Sequence, residues 1–143
     1  MGGQPSGHRT LPHTADIRIE AWGPTRDACL AEAAAALVDS FADRSAASRV
    51  PPERTVVVDL AADTDEDRLL AVLDEIIYRL DTEDAVPLGV RVEDHAGGLR
   101  LTMPMADEDR VEFTGAAPKA VALGGLRFAA DGTTWWCAAT IDV

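Results

Sequence analysis

Apolar and polar side chains alternate near the start of the chain in the pattern of a strand. Ile17, Ile19 and Ala21 alternate with charged or polar neighbours, which is the two-residue period of a strand that buries one face. A Gly-Pro pair at 23–24 ends this pattern. Residues 1–8 lack any such periodicity, so the sequence predicts a flexible N-terminal segment there.

Two longer stretches show the spacing of apolar residues that is typical of helices. The first is predicted to run from about Arg26 to Ala42, with Thr25 as its N-cap. The second is capped by Thr64 or Asp65 and begins with an acidic turn, which suits the positive end of a helix dipole. Its broad apolar face consists of Leu69, Leu70, Val72, Leu73, Ile76, Ile77 and Leu80.

The rest of the chain is predicted to consist mostly of strands and turns. Short β-branched or apolar runs occur at residues 55–60, 86–94, 99–103, 119–123, 126–129 and 134–142. Turn-forming residues predict hairpins at 95–98 and at 131–132, whereas the glycine pair at 124–125 is interpreted as a simple turn. Residues 42–52 and 104–110 are predicted to be loops.

Two helices among about seven strands, several of them joined by hairpins, predict an α+β fold. We expect two helices packed on a largely antiparallel (mixed) β-sheet sandwich, in a single compact domain that covers residues 9–143. A length of 143 residues and an apolar fraction of 47% suffice for one hydrophobic core.

The charge of the chain narrows the classes of partner. Acidic residues outnumber basic ones by 25 to 13, for a net charge of −12, and nucleic acid is bound mainly through Lys and Arg side chains that neutralise phosphates. Direct binding of nucleic acid is therefore not expected. The negative charge agrees instead with a solubilising surface, with a site for divalent cations or with a basic protein partner.

No membrane or targeting segment is expected. The chain contains no run of about 18 apolar residues, which a membrane-spanning helix needs, and its first residues lack the basic-then-apolar order of a secretion signal. These features predict a cytoplasmic protein in which Cys29 and Cys137 are reduced core residues.

Candidate oxygen ligands lie at both ends of the patterned chain. Asp142 is followed by the main-chain carboxylate of Val143, and Asp16 opens the first predicted strand. If the first and last strands are neighbours, these groups converge at one end of a sheet. Hard oxygen donors of this kind suit calcium, magnesium or manganese rather than zinc. The alternative is that the carboxylates are simply solvated, and the sequence leaves both interpretations open.

Three other features could carry function or could be ordinary structure. Residues 81–84 place acidic side chains after the second helix, at the negative end of its dipole, which is unfavourable by roughly a few tenths of a kcal/mol and suggests a use. A solvated loop is the alternative.

Lys119, the only lysine, could meet a phosphate or a carboxylate, or could lie free on the surface. His13 is interpreted as a structural histidine. Because no nucleophile with a neighbouring base and no phosphate-binding glycine loop is recognisable, no catalytic residue is assigned.

Short motifs along the chain resemble those of the archease family. In order, they are His13-Thr14-Ala15-Asp16, Ala21-Trp22-Gly23, Phe41-Ala42-Asp43, Leu80-Asp81-Thr82-Glu83, Lys119-Ala120-Val121 and Ile141-Asp142-Val143. The resemblance covers nearly the whole chain from about residue 9. It departs from the family at Asp84, where members often have Gly, and residues 42–52 and 102–114 follow no family pattern.

The resemblance implies a helper protein rather than an independent enzyme. Archeases are protein cofactors that activate the GTP-dependent RNA-splicing ligase, RtcB, by promoting its guanylylation and its multiple turnover in tRNA splicing and RNA repair. The family's metal site, usually described with calcium, would correspond to Asp16, Asp142 and Val143. Activation of the partner would involve Lys119 and Asp43.

Two other classes of function stay open at the level of the sequence. The same carboxylates could belong to a stand-alone metal-dependent phosphoester hydrolase or nucleotidyl-transfer enzyme, although the chain offers no evident base or nucleophile for one. The protein could also be a general chaperone or adaptor whose acidic surface only solubilises it.

Overall fold

The computed structural model of the chain describes residues 5–12 and 16–143. The interpretation of His13 as a structural histidine lies outside these residues, as does most of the first family motif. The strands are β1 (Gly7–Pro12), β2 (Asp16–Gly23), β3 (Ala42–Asp43), β4 (Arg54–Ala61), β5 (Ala85–Pro87), β6 (Arg91–His95), β7 (Gly98–Asp107), β8 (Glu112–Phe113), β9 (Ala120–Asp131) and β10 (Thr134–Asp142). The helices are α1 (Arg26–Asp39) and α2 (Asp65–Glu83), and single 3-10 turns occupy Ala47–Arg49 and Glu108–Arg110.

The strands form two main antiparallel sheets. The first has the order β1-β2-β10-β9, so the last strand of the chain lies between β2 and β9. In the second sheet β7 pairs with β4 along one edge and with β6 and then β5 along the other. A short ribbon joins β3 to β8. The predicted fold class, two helices with a largely antiparallel β-sheet sandwich in a single compact domain, is confirmed.

Both helices contact both sheets. Helix α1 packs against β1, β2 and β10 of the first sheet and against β6 of the second, and α2 packs against β9, β4, β5 and β7. Buried alanines at 33, 34 and 36 let the backbone of α1 approach its neighbours closely. The apolar face of α2 buries Leu69, Val72, Leu73, Ile76 and Leu80, as the sequence pattern predicts.

Side chains cap both helices at their predicted starts. Thr25 accepts a hydrogen bond from the backbone N–H of Ala28 at 3.0 Å. Thr64 accepts one from the N–H of Asp67 at 3.1 Å, and the Asp67 carboxylate accepts the N–H of Thr64 at 3.3 Å. This reciprocal pair is a capping box and satisfies two N–H groups that the first turn of α2 leaves free.

The prediction of a polar loop at 104–110 is wrong. Strand β7 continues to Asp107 because Met105 and Ala106 are buried and pair with β4 and β5. The loop predicted at 42–52 also contains a strand, the two-residue β3, and α1 ends at Asp39 instead of Ala42.

The interpretation of 124–125 as a turn is also wrong. Strand β9 is continuous, and its register against β10 shifts between the pairs Ala138–Arg127 and Thr140–Ala122, so the two glycines lie in a bulge. A Cβ atom on Gly125 would lie 2.6 Å from Oγ1 of Thr140, so a side chain there would displace the neighbouring strand. The glycine serves the close approach of two strands rather than a reversal of the chain.

The first β-strand also begins earlier in the chain than expected. Strand β1 starts at Gly7, and His8 pairs with Ala21 of β2, so the first strand includes two residues of the segment predicted to be flexible. The side chain of His8 lies 2.7 Å from a carboxylate oxygen of Glu32 and 3.1 Å from one of Asp39. These contacts fasten β1 to α1.

Two cysteines meet in the core. The Sγ atoms of Cys29 in α1 and Cys137 in β10 lie 3.4 Å apart, and both side chains are buried and free, as expected. The hydrogen-bonding interaction with the neighbouring Cys29 thiol, together with burial, raises the pKa of the Cys137 thiol well above its usual value. Neither helix of the described chain is long and apolar enough to cross a membrane.

Replacing Thr64 by Ala should lower the free energy of unfolding by about 1 kcal/mol, because the N–H of Asp67 loses its acceptor and the capping box is broken. The variant Thr64→Ser keeps the hydroxyl and should retain most of the stability. Urea unfolding followed by circular dichroism measures both. Equal losses in the two variants would contradict the capping role of the hydroxyl.

Candidate functional site

Two carboxylates predicted as ligands lie directly opposite each other in the first sheet. Strands β2 and β10 are antiparallel neighbours, and Asp16 is the register partner of Asp142. Directly opposed residues of an antiparallel pair point to the same face, with Cβ atoms roughly 4.5–5.5 Å apart. The strand that begins at Asp16 and the last strand of the chain are therefore neighbours, as the metal site predicted from the sequence requires.

Within residues 5–12 and 16–143, no cationic side chain forms an ion pair with either carboxylate. Asp142 is exposed and Asp16 half-buried, and the hydrogen bonds and ion pairs of the described residues include none that neutralises either carboxylate. Opposed like charges destabilise a sheet unless solvent or a cation screens them. Two hard oxygen donors on one face therefore fit a hard divalent cation.

The pair needs further donors to form a complete site. Among the described residues, no group of three or more His, Cys, Asp or Glu side chains lies close enough to bind a metal. The main-chain carboxylate of Val143, next to Asp142, is the predicted third ligand. The half-buried side chain of Val143 packs against the core, which fixes the last residue beside the carboxylate pair. Metal binding by these three residues stays a prediction.

Lys119 lies at the same end of the sheet. Its backbone N–H donates a hydrogen bond of 2.8 Å to the carbonyl oxygen of Asp142, and the next residue, Ala120, is the register partner of Asp142 on β9. Its side chain is exposed and lines a groove beside α2. No carboxylate of the described chain forms an ion pair with it, so its ammonium group is available to a ligand.

Asp43 has partners of its own. Its carboxylate accepts hydrogen bonds from the hydroxyl of Ser45 at 2.7 Å and from the Ser45 N–H at 2.9 Å. These bonds lower the pKa of Asp43 below its usual value. Asp43 lines a separate hollow with Arg44 and Leu88, and the contacts of the described residues do not join it to Asp16, Asp142 or Lys119. Its role in activation stays a prediction.

The groove beside α2 is a feature that the sequence interpretation missed. It has a volume of about 490 Å³ and runs from the C-terminal half of α2 to Lys119. Its most exposed apolar side chains are Tyr78 and Phe113, at 54% and 41% exposure. Tyr78 falls outside the apolar face of α2, and Phe113 lies in a polar stretch of the sequence. An aromatic residue at a position where burial is not expected was the only signal of the groove that the sequence offered.

The acidic residues at 81–84 are divided between two environments. Glu83 accepts hydrogen bonds from Arg54 and Arg79, whereas Asp81 and Asp84 line the groove without ion pairs in the described part of the chain. Asp84 ends α2 in the left-handed conformation, with φ of 51°. Glycine is the usual residue there because it lacks a Cβ atom.

Comparisons with known proteins agree on one family. The sequence model of the Archease protein family (MTH1598/TM1083) matches residues 8–143. A protein of Mycobacterium tuberculosis named probable protein archease is 47% identical over 141 residues, which cover 99% of this chain and 77% of the relative.

Two solved structures share the fold. The crystal structure of an archease from Thermotoga maritima, described as a possible chaperone, superimposes with a TM-score of 0.66 at 20% identity and covers 94% of this chain and 96% of its own. The solution structure of Methanobacterium thermoautotrophicum protein 1598 gives a TM-score of 0.67 at 20% identity, with 96% and 99% covered.

Without divalent cations, Asp142→Asn should raise the free energy of unfolding by about 0.2–1 kcal/mol, because it removes a like charge directly opposite Asp16. Asp16→Asn should give a similar gain. The double variant should gain no more than either single variant, since the repulsion requires both charges. Urea unfolding in EDTA measures all three, and fully additive gains would show that the two carboxylates act independently.

Proposed function

The chain belongs to the archease family, and on that premise we propose that it is a protein cofactor that activates a GTP-dependent RNA-splicing ligase of the RtcB type. In this role it promotes guanylylation of the ligase and lets each ligase molecule act repeatedly, in tRNA splicing and RNA repair. The partner is a cytoplasmic enzyme, and the protein acts with it there. The observation that carries the proposal is the register pairing of Asp16 with Asp142.

The carboxylates would hold a divalent cation. Asp16, Asp142 and the main-chain carboxylate of Val143 supply the hard oxygen donors that calcium prefers, and manganese and magnesium accept the same donors. When bound, the cation would supply positive charge that neutralises the ligands and attracts phosphate oxygens. The antiparallel pairing keeps the two strands in fixed register and so orients the ligands before any partner arrives.

Lys119 would act beside this site. Its backbone bond to Asp142 couples its position to that of the carboxylate pair, and its side chain can present an ammonium group to a phosphate or carboxylate of the partner. Positioning and charge neutralisation are the main ways in which proteins lower the barrier to transfer of a nucleotidyl or phosphoryl group. The proposed contribution is therefore made at the partner's reaction site.

The remaining alternatives differ from this proposal in what the purified protein does alone. A stand-alone hydrolase or nucleotidyl-transfer enzyme would turn over nucleoside triphosphates or phosphoesters in the presence of a divalent cation. A general chaperone would bind unrelated unfolded proteins, whereas a ligase activator binds one ligase, with an affinity that falls as salt is added.

In a reconstituted reaction with the RNA ligase of the same organism, Asp142→Asn should reduce the ligation events per ligase molecule by roughly tenfold or more, because a cation ligand is lost. The matched control is Asp131→Asn, which changes an exposed Asp at the opposite end of the β9–β10 pair and should leave turnover unchanged. Full multiple turnover with Asp142→Asn would contradict the proposed role of the carboxylates.

A short Gly-Ser extension after Val143 should weaken calcium binding by roughly tenfold, because the main-chain carboxylate becomes an amide and the charge of the ligand set falls. Calorimetric titration with calcium measures the affinity. The same extension at the N-terminus serves as the control. Equal affinities of the two extended proteins would remove the Val143 carboxylate from the ligand set.

A further inference from the structure

The groove beside α2 exposes apolar surface that the fold does not cover. It is lined by Ile77, Leu80 and Pro118 and by the exposed rings of Tyr78 and Phe113. Large exposed aromatic side chains that share one groove are typical of sites that bury a partner's side chain. We call this surface the α2 groove.

Side chains of both charges line the α2 groove. Asp84 and Glu108 lie together, since the N–H of Glu108 donates to the carbonyl oxygen of Asp84 at 2.8 Å, and both also line an adjoining acidic hollow. Lys119, whose backbone N–H donates to the carbonyl oxygen of Asp142, also lines the groove but not that hollow. In the described chain, none of these three side chains forms an ion pair.

The described ion pairs of α2 involve residues outside the groove. On the neighbouring surface of α2, Arg79 pairs with Glu75 at 2.7 Å and with Glu83 at 2.8 Å. Among the described residues, Asp81, Asp84 and Glu108 line the groove without a basic partner of this kind. The negative end of the α2 dipole adds to the potential at Asp84, so this part of the groove attracts cations.

We propose that the α2 groove binds a segment of a partner protein in which an aromatic or aliphatic side chain is flanked on one side by Arg or Lys and on the other by an acidic residue. The apolar side chain packs between Tyr78 and Phe113. The basic residue pairs with Asp84 and Glu108, and the acidic residue pairs with Lys119. This inference rests on the proposed function, in which the partner is the RNA ligase.

Charge complementarity selects this occupant over the others. A second copy of the chain would bring another −12 of net charge to an already acidic rim. A nucleotide would place its phosphates near Asp84 and Glu108, where like charges repel. Side chains of both charges in one groove also restrict the orientation of the segment, which would orient the partner relative to the Asp16–Asp142 pair.

Binding of the ligase to groove variants tests the proposal. Tyr78→Ala and Phe113→Ala should each weaken the affinity roughly tenfold or more, since exposed aromatic anchors dominate such interfaces. The control is Val57→Ala, which removes an exposed apolar side chain (59% exposed) on β4 and should bind like the unaltered protein. Surface plasmon resonance with the immobilised ligase measures the affinities.

The salt dependence of the affinity tests the acidic side chains of the groove. Asp84→Asn with Glu108→Gln should flatten the decrease of affinity with salt, because two charge contacts are lost. Asn is well tolerated in the left-handed conformation of residue 84, so the fold is expected to persist. Calcium-induced thermal stabilisation should be the same in every groove variant as in the unaltered protein, since the Asp16–Asp142 pair is intact.

The outcomes separate this inference from the proposed function. If the unaltered protein binds the ligase and the groove variants bind equally well, the docking inference is overturned and the proposed function stands. If the unaltered protein does not bind the ligase, both are overturned. A dimer of the unaltered protein that Tyr78→Ala abolishes in sedimentation would make a second copy the occupant and would also overturn the inference.

Discussion

The antiparallel pairing of β2 with β10 is the constraint on which the site depends. It joins the first long strand to the last one, and it places Asp16 opposite Asp142 at the end of an eight-pair ladder. The inner face of the same ladder buries Ile19, Ala139 and Cys137 against α1, so a shift of one residue would expose this apolar set. The core therefore fixes the register, and the register holds two like charges together that would otherwise separate.

This arrangement explains how a small domain can keep an unfavourable charge pair. Burial of an apolar side chain contributes roughly 1.5–3 kcal/mol, whereas one opposed pair of like charges costs about 1 kcal/mol or less at an exposed position. Elsewhere arginine compensates some of the acidic residues: Arg26 pairs with Asp65 and Asp94, and Arg68 also pairs with Asp94. Within the part of the chain that the structure describes, no such ion pair involves Asp16 or Asp142, and the register that the core imposes keeps these two carboxylates opposite each other.

Much of the fold could be predicted from the sequence, because local signals and tertiary packing agree. The alternation at Ile17, Ile19 and Ala21, the apolar face of α2 and the hairpin turns at 95–98 and 131–132 all appear as predicted. The predictions are wrong where strand pairing overrides the local amino-acid composition. Strand β7 runs through residues 104–107 because neighbouring strands supply partners on both edges, and no local pattern reports that.

The same limit applies to the candidate site. Residue chemistry identified Asp16, Asp142 and Lys119 as candidates, but their proximity depends on a strand order that joins the two ends of the chain. The α2 groove was not predictable, because Tyr78 and Phe113 are 35 positions apart in the sequence and meet only through the ribbon of β3 and β8 and the packing of α2. Asp43, in contrast, belongs to a segment that resembles a family motif, but its carboxylate accepts a hydrogen bond from the hydroxyl of Ser45.

The buried thiols in the core have a practical consequence for experiments on this protein. Cys29 and Cys137 are both buried, so neither thiol is accessible to reagents in the folded protein, and the pKa of Cys137 is also raised above its usual value. A cysteine introduced on the surface would then be the single thiol that a maleimide dye or spin label can modify in the folded protein. Fluorescent reporters can therefore be attached to the natural sequence without first removing its own cysteines.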